Sequence, residues 1–148
     1  MEDISPEQQD QLSIALKKSG LELMDDEKSI LVEKIKAVII ELVHYMDEPI
    51  KIKHSYYLSK KLHYNYTYLA DLFSEVKGIT IEEFYLAHKI EKVKELLVYD
   101  ELSLTEITYK LNYSNVAHLS NQFKKITGLT PSHFKHLKLI RRSTLENV

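Results

Sequence analysis

Apolar residues in the C-terminal two thirds of the chain recur at intervals of three and four, which is the spacing of one face of an α-helix. Leu69, Leu72, Phe73 and Val76 follow this pattern and predict a helix with one buried face. Asn65 stands just before it and is a favourable N-cap, because its side chain can accept a hydrogen bond from the first helical turn. The pattern therefore predicts helices with defined ends.

This part of the chain contains an internal repeat. The stretch LADLFSEVKGITIEEF, from Leu69, matches LSNQFKKITGLTPSHF, from Leu119, at an offset of 50 residues. Just upstream, KLHY from Lys61 matches KLNY from Lys110 at an offset of 49. Two copies are too few for a solenoid, so we interpret them as one duplicated supersecondary unit. The identical pairs are Leu69/Leu119, Phe73/Phe123, Gly78/Gly128, Thr80/Thr130 and Phe84/Phe134.

The first copy predicts a short helix, a tight turn and a second helix that ends at a glycine. Leu58 and Leu62 lie in the short helix, and His63-Tyr64 make the turn. Gly78 would end the second helix, because the residue after a helix is commonly left-handed and glycine adopts that conformation without strain.

The second copy repeats this organisation. Ser103 and Glu106 have the spacing of a capping box, in which each side chain accepts a hydrogen bond from the other residue's backbone. Asn112-Tyr113 make the turn, and Asn115 caps the second helix. The apolar stripes of the two helices comprise Leu104, Ile107, Leu111, Leu119, Phe123 and Ile126.

Between the copies, Thr80 and Glu83 form a second predicted capping box, which opens a linker helix to about Val98. At 1.5 Å per residue this helix is roughly 25–27 Å long. We predict an all-α fold of two helix-turn-helix subdomains joined by a linker helix, preceded by a short helical N-terminal arm. An all-α bundle without a nucleic-acid role is the alternative. The linker residues expected to pack inward are Phe84, Ile90, Val93 and Leu97.

The sequence of the N-terminal arm predicts two helices. Ser5-Pro6 would open the first and Gly20 would end it, with residues 21–24 as a short strand. Asp25 or Asp26 would then cap an amphipathic helix to about residue 45. Its apolar stripe either packs on the rest of the chain, forms a homodimer through residues 27–46, or is the remnant of a small sensor domain. The stripe comprises Leu31, Ile35, Val38, Leu42 and Tyr45, flanked by Ile30, Ile39, Val43 and Met46.

The amino-acid composition excludes several classes of function for this chain. The 148 residues include no Cys, so disulfides, thiolate metal sites and cysteine nucleophiles are excluded. No apolar run approaches 18 residues and the N-terminus is polar, so neither a membrane span nor a secretory signal is expected, and the expected location is the cytoplasm. We find no catalytic constellation and expect neither an enzyme nor a cofactor. His133 and His136 have a metal-compatible spacing without a third ligand, so no metal site is expected.

The net charge of −2 is distributed unevenly. Residues 1–50 contain 5 Lys against 12 Asp and Glu, whereas residues 51–148 contain 15 Lys and Arg against 10 acids. The stretch 107–145 contains no acid at all. Such a stretch is either a solvated face or a surface for a polyanion. Its basic residues are Lys110, Lys124, Lys125, Lys135, Lys138, Arg141 and Arg142.

The second unit carries the motifs LTEI, from Leu104, and NQFKKITGLTPSHF, from Asn121. With them, residues of about 50–140 resemble the DNA-binding half of the AraC/XylS family of bacterial transcription activators. The resemblance implies a domain at 49–148, with units at about 51–80 and 101–140 and a linker helix at about 81–98, after an acidic arm at 1–48. It also implies a sequence-specific regulator that inserts two recognition helices into successive major grooves of double-stranded DNA. RNA polymerase is the expected protein partner.

The family match implies base contacts from the second recognition helix, opposite its buried stripe. Asn121 can pair with adenine, and Lys124 and Lys125 are better placed for phosphates. The outer face of the first recognition helix is expected to contribute as well. The expected base-contacting residues are Val116, Ala117, His118, Ser120, Asn121, Thr67, Ala70 and Asp71. The expected phosphate-contacting residues are Lys110, Lys124, Lys125, Lys135, Lys60, Lys61 and Asn65.

Asp71 leaves two interpretations open. Its carboxylate could accept a hydrogen bond from cytosine, which would make the first unit a reader of bases. Alternatively, the first unit only clamps the backbone, and Asp71 repels phosphates. We favour the clamp, because the neighbouring Thr67, Ala70 and Ser74 are short in reach.

The chain also departs from the family in several ways. Asn112-Tyr113 replaces the usual Gly-Phe of the second turn, but Asn tolerates a positive φ and Tyr keeps the aromatic anchor. Lys89 replaces the usual Arg, which is expected to weaken a buried ion pair. Residues 1–48 are too few for the β-rich sensor domain of many members, so we expect a short member or part of a longer protein. A second function is a degenerate interaction module of the same fold, without DNA affinity and with the arm as its working surface.

Overall fold

The computed structural model describes residues 6–46, 53–99 and 102–146, and every element in these ranges is helical. None of the helices in the described ranges is long and apolar enough to cross a membrane. The elements in chain order are α1 (Pro6–Ile40), a π-helical turn (Glu41–Tyr45), α2 (His54–Leu62), α3 (Tyr66–Lys77), α4 (Ile81–Tyr99), α5 (Leu104–Lys110), α6 (Val116–Thr127) and α7 (Pro131–Glu146).

The first helix-turn-helix unit consists of α2 and α3. His63 makes the turn in the left-handed conformation, with φ of 60°. The Oδ1 atom of Asn65 accepts a hydrogen bond of 2.8 Å from the backbone N–H of Thr67, which confirms the predicted N-cap. Gly78 ends α3 with φ of 75°, so a side chain there would strain the backbone.

The second unit, α5 and α6, has the same devices at the equivalent positions. Ser103 and Glu106 form the complete capping box. Asn112 has φ of 60°, which confirms that this residue supplies the left-handed turn where the family usually has glycine. Asn115 accepts a 2.8 Å hydrogen bond from the backbone N–H of His118, and Gly128 ends α6 with φ of 82°.

The linker helix α4 contributes to two separate hydrophobic clusters. Ile81, at its start, is fully buried in the first cluster, together with residues of α1, α2 and α3. Ile90, Val93 and Leu97 are buried in the second, together with residues of α5 and α6. The predicted inward face of α4 is therefore confirmed, although Phe84 is only half-buried at the edge of the first cluster.

Two predicted core positions are wrong. Val76 is 42% exposed and Ile126 is 45% exposed. They are equivalent positions in the repeat, each two residues before the glycine that ends its helix. The last turn of α3 and of α6 thus extends beyond the core that the first two turns of each helix contact.

The prediction of two separate helices in the arm is also wrong. The helix α1 continues through Gly20 and through residues 21–24, which form no strand. A single glycine inside a helix costs only about 1 kcal/mol relative to alanine, and the residues around it here, chiefly Ala, Leu, Lys, Glu and Met, favour helix. The proposed caps at Asp25 and Asp26 are therefore unnecessary.

The C-terminal half of the arm packs against the first unit. Val32, Ile35 and Ile39 of α1, and Val43 of the π-helical turn, are buried in the first hydrophobic cluster. Most of the apolar stripe proposed for a dimer is thus already covered within the chain. Three ion pairs reinforce this contact at its exposed edge: Lys28–Glu75 at 3.8 Å, Lys61–Glu41 at 3.6 Å and Lys77–Glu33 at 3.8 Å.

The arm also contacts the linker helix. His44 Nε2 lies 3.0 Å from His88 Nδ1, and the His88 ring packs against Phe84. Burial, followed by the charge of His88, lowers the pKa of His44, and burial also lowers the pKa of His88. Because the contact requires at least one neutral ring, protonation of both residues in acid would oppose it.

Because Ile35 is fully buried where α1 meets the first unit, Ile35→Ala should lower the free energy of unfolding by about 2–5 kcal/mol. Ile30 is 56% exposed on the same helix, so Ile30→Ala is the matched control and should change it by about 0.5 kcal/mol or less. Urea unfolding monitored by circular dichroism measures both values. Equal effects of the two substitutions would contradict the packing of the arm onto the first unit.

Candidate nucleic-acid interface

The outward face of α6 carries most of the predicted base-contacting residues. Ala117, His118 and Asn121 are exposed, whereas Val116 and Ser120 are half-buried at the border of the face. The opposite face holds the helix in place, because Leu119 and Phe123 are fully buried. The structure thus places Ala117, His118 and Asn121 on the exposed side of α6, and Val116 and Ser120 at its border with the buried face.

The first turn of α6 fixes the orientation of His118. The backbone N–H of Ser114 donates to His118 Nδ1 at 3.4 Å, and the imidazole ring packs edge-to-face against Tyr113, with ring centroids 5.1 Å apart. When Nδ1 accepts in this way, a neutral imidazole carries its proton on Nε2. His118 then presents an N–H donor to an acceptor on a base edge or a phosphate.

The outward face of α3 is less suited to reading bases. Thr67 and Asp71 are exposed, but Ala70 is half-buried against the first hydrophobic cluster. The Oδ1 atom of Asn65 is already used as the N-cap, which leaves its amide NH2 group as the donor available to a phosphate. Glu75, one turn beyond Asp71, is paired with Lys28 of the arm.

The predicted phosphate-contacting lysines lie in different environments. Lys124 and Lys125 are exposed in the last turn of α6, whereas Lys110 and Lys135 are half-buried. In the first unit, Lys60 is exposed, and its Nζ lies 5.5 Å from the Tyr56 ring centroid. Lys61 is paired with Glu41, so it must exchange that carboxylate for a phosphate if it binds DNA. Lys124 and Lys125 are therefore the most accessible of the predicted phosphate-contacting lysines in the second unit.

Lys89 of the linker helix differs from the sequence-based expectation. It has no carboxylate within ion-pair distance in the part of the chain that the structure describes. Its Nζ lies 3.9 Å from the Tyr113 ring centroid and 5.3 Å from that of Tyr85. The expected buried ion pair is thus replaced by cation–π contacts, and burial lowers the pKa of Lys89 to about 8.

Sequence reasoning also missed the contacts between the linker helix and the start of α3. The Tyr66 hydroxyl donates to Glu82 Oε1, and Tyr85 stacks on His54 with ring centroids 4.6 Å apart. Burial, assisted by the hydrogen bond to Glu82, raises the pKa of Tyr66. The spacing of four between Tyr85 and Lys89 was a detectable signal, because such side chains meet on a helix.

A family model described as "Helix-turn-helix domain" matches residues 58–136, which is more than half of the chain. The C-terminal domain of AraT, a response regulator from Geobacillus stearothermophilus, aligns with 72% of this chain at a TM-score of 0.63 and 21% identity. The DNA-binding domain of AdpA, solved in complex with a target DNA, aligns with 74% at a TM-score of 0.61 and 14% identity. These alignments cover 84% and 96% of the respective structures.

The chain belongs to the AraC-type helix-turn-helix family. Its double helix-turn-helix is a DNA-binding domain of the kind that transcription regulators carry.

Curated relatives share this domain in proteins of very different length. The chain is 30% identical over 81 residues to the HTH-type transcriptional regulator YtdP of Bacillus subtilis. This match covers 55% of the chain but only 10% of YtdP. It is 24% identical over 123 residues to the transposon Tn10 TetD protein of Escherichia coli, covering 83% of this chain and 87% of TetD. The msm operon regulatory protein of Streptococcus mutans matches over 36% of its length, and 62% of this chain, at 29% identity.

The exposed lysines of the acid-free stretch 107–145 predict strongly salt-dependent binding. If roughly six to eight phosphates are contacted, the slope of log K against log[salt] should be about −5 to −7. This slope is measured by fluorescence anisotropy with a labelled duplex at salt concentrations from about 50 to about 300 mM. Lys124→Ala should reduce the magnitude of the slope by about 1. A slope near zero with retained affinity would contradict the electrostatic interpretation.

Proposed function

We propose that the protein regulates transcription by binding a specific DNA sequence through two unequal units, with α6 as the base-reading helix and α3 chiefly as a clamp on the phosphate backbone. The observation that carries this proposal is the outward face of α6, where Asn121 is flanked by His118 and the exposed Lys124 on a helix with a buried opposite face. This combination offers base-edge donors and phosphate-binding cations on one rigid element.

The side chains of α6 suit different features of a major groove. Asn121 can form a bidentate pair with adenine N6 and N7, and Ser120 can bond several base edges. Val116 and Ala117, at the entry of the helix, can contact a thymine methyl group. His118 supplies a donor whose direction is set by the Ser114 contact.

The short side chains and the negative charge on α3 favour a role for the first unit in holding the phosphate backbone rather than in reading bases. Thr67 and Ala70 are too short to span to a base edge unless the backbone approaches closely, and Asp71 carries a charge that opposes the phosphates. The adjacent arm is acidic, so it offers no attraction for DNA on that side. The donors left to the first unit are Lys60, Lys61 and the amide group of Asn65.

We further propose that the protein acts in the cytoplasm, without catalytic activity of its own, and that RNA polymerase is its protein partner. The family membership supports a regulatory rather than an enzymatic role. The chain also lacks Cys, whose thiol accepts the alkyl group in repair proteins that carry an AraC-type unit. A homodimer would have to use the N-terminal part of α1 and exposed residues such as Ile30, because the stripe at residues 31–43 is largely buried. The boundary between arm and domain at residues 48 and 49 lies outside the described ranges.

An electrophoretic mobility shift assay against a random duplex library, followed by sequencing of the retained DNA, tests the proposed function. A defined sequence should be enriched, with protein–DNA complexes that persist in the presence of unlabelled competitor DNA. The competing hypothesis is an interaction module of the same fold that has lost DNA affinity. Retention of no sequence above the starting library would favour that module.

Asn121→Ala should weaken binding to the enriched sequence by about 1–3 kcal/mol and relax the preference at one base pair, because a bidentate hydrogen-bonded pair is lost. Lys124→Ala is the matched control on the same helix and should weaken binding to all sequences alike. Competition titrations with specific and random duplexes measure both effects. The base-reading role of Asn121 is wrong if its substitution lowers specific and random binding by the same factor.

Asp71→Asn distinguishes a clamp from a reader in the first unit. Loss of a repulsive charge should tighten binding to every sequence, by about 0.3–1 kcal/mol for an exposed group at low salt, if the unit is a clamp. A reader would instead lose affinity for the enriched sequence only, because the cytosine contact would be broken. The same competition titrations measure this, and a selective loss would overturn our assignment.

A further inference from the structure

The linker helix places a positive charge between the two units. Lys89 is half-buried, and its Nζ faces the rings of Tyr85 and Tyr113. A partly buried lysine without a carboxylate partner is costly for folding, and among the described residues the electron-rich faces of these two rings are the groups that offset that cost. The Lys89 charge therefore contributes little to stability, and its contacts on either side indicate a different role.

On the side of the first unit, ring contacts lead from Lys89 to the start of α3. Tyr85 stacks on His54, with an interplanar angle of 19°. The edge of His54 packs against Tyr66, with ring centroids 6.1 Å apart. Tyr66 is the first residue of α3, and its hydroxyl is hydrogen-bonded back to Glu82 of the linker helix.

On the side of the second unit, the ring contacts lead to the start of α6. Tyr113 is 6% exposed in the turn that follows α5, and its ring meets Lys89 Nζ at 3.9 Å. The same ring packs edge-to-face on His118, in the first turn of α6. A continuous set of contacts thus joins the first turns of the two recognition helices, and Lys89 is its central member.

We infer that Lys89 is a positioning residue, which holds Tyr85 and Tyr113 together and thereby fixes the orientation of α6 relative to α3. Its role in DNA binding is indirect and rests on the proposed function. The consequence for DNA is a fixed spacing between the two contacted segments, because a rigid pair of helices tolerates only one separation along the duplex.

Loss of the Lys89 charge should affect the positioning of the units and the stability of the fold in opposite directions. Lys89→Met keeps a similar length and volume but removes the charge that attracts both rings. Replacement of a poorly solvated charge by an apolar side chain is often neutral or stabilising for a fold. The melting temperature should therefore be unchanged or higher in Lys89→Met, while the relative orientation of the units becomes looser. Lys89→Arg keeps a cation over the rings and should preserve the orientation.

The first test measures the orientation without DNA. The chain has no Cys, so Lys77→Cys on α3 and Tyr109→Cys on α5 provide two unique sites for spin labels, both exposed. Double electron–electron resonance should give one narrow distance distribution for the labelled protein and for Lys89→Arg, and a broader or shifted one for Lys89→Met. Lys92→Met is the matched control, because Lys92 lies on the same helix with a side chain only 14% exposed and pairs with Glu95. An unchanged distribution in Lys89→Met would overturn the inference.

The second test measures the consequence for DNA spacing. One base pair is inserted between the two segments protected in the enriched sequence. The wild type should lose at least about tenfold in affinity, whereas Lys89→Met should lose less than about threefold, because its units can adjust. An equal penalty in Lys89→Met contradicts the inference. Enrichment of no sequence by the wild type would instead contradict the proposed function, and the spin-label distances would still decide the role of Lys89.

Discussion

The packing of one helix into two hydrophobic clusters is the interaction on which the rest of the structure depends. Ile81 anchors the start of α4 in the first unit, and Ile90, Val93 and Leu97 anchor its remainder in the second. Each unit is too small to bury its own apolar faces, so the linker helix completes both cores. The same helix that stabilises the units therefore also sets the distance between their recognition helices.

The two units use the same local devices with different surroundings. Each has a left-handed non-glycine residue in its turn, an Asn cap and a glycine at the end of its second helix. The helix α6 of the second unit lies in a sequence stretch without acids, 107–145, whereas α3 of the first unit is flanked by the acidic arm and carries the exposed Asp71. The two units thus share a scaffold and differ in the charges around their second helices, and this difference supports the proposal that α6 reads bases.

The sequence was most informative where a backbone requirement demands a particular residue type. The caps at Asn65 and Asn115 and the left-handed turn at Asn112 were predicted because few side chains meet those requirements. The continuous course of α1 through Gly20 was not predictable, because a cost of about 1 kcal/mol is readily outweighed by neighbouring helix formers. The partners of the arm's apolar stripe also depended on tertiary packing, which periodicity does not reveal.

The site was predictable to a similar, limited extent. The outward face of α6 follows from helical spacing once the buried stripe is known, and Asn121 and His118 are exposed there. By contrast, Ala70 is half-buried because it lies at the edge of its helix face, where spacing alone decides little. The contact of Lys89 with Tyr85 follows from helical spacing, but its contact with Tyr113 joins residues that are distant along the chain, so periodicity could not predict it.

The central claim is that one rigid molecule places two recognition helices in successive major grooves. Hydroxyl-radical footprinting of the protein on its enriched sequence tests this most directly. The account predicts two protected segments on one face of the duplex, centred about one helical turn, or roughly 10 base pairs, apart. A single protected segment, or two whose separation varies between binding sites, would contradict it.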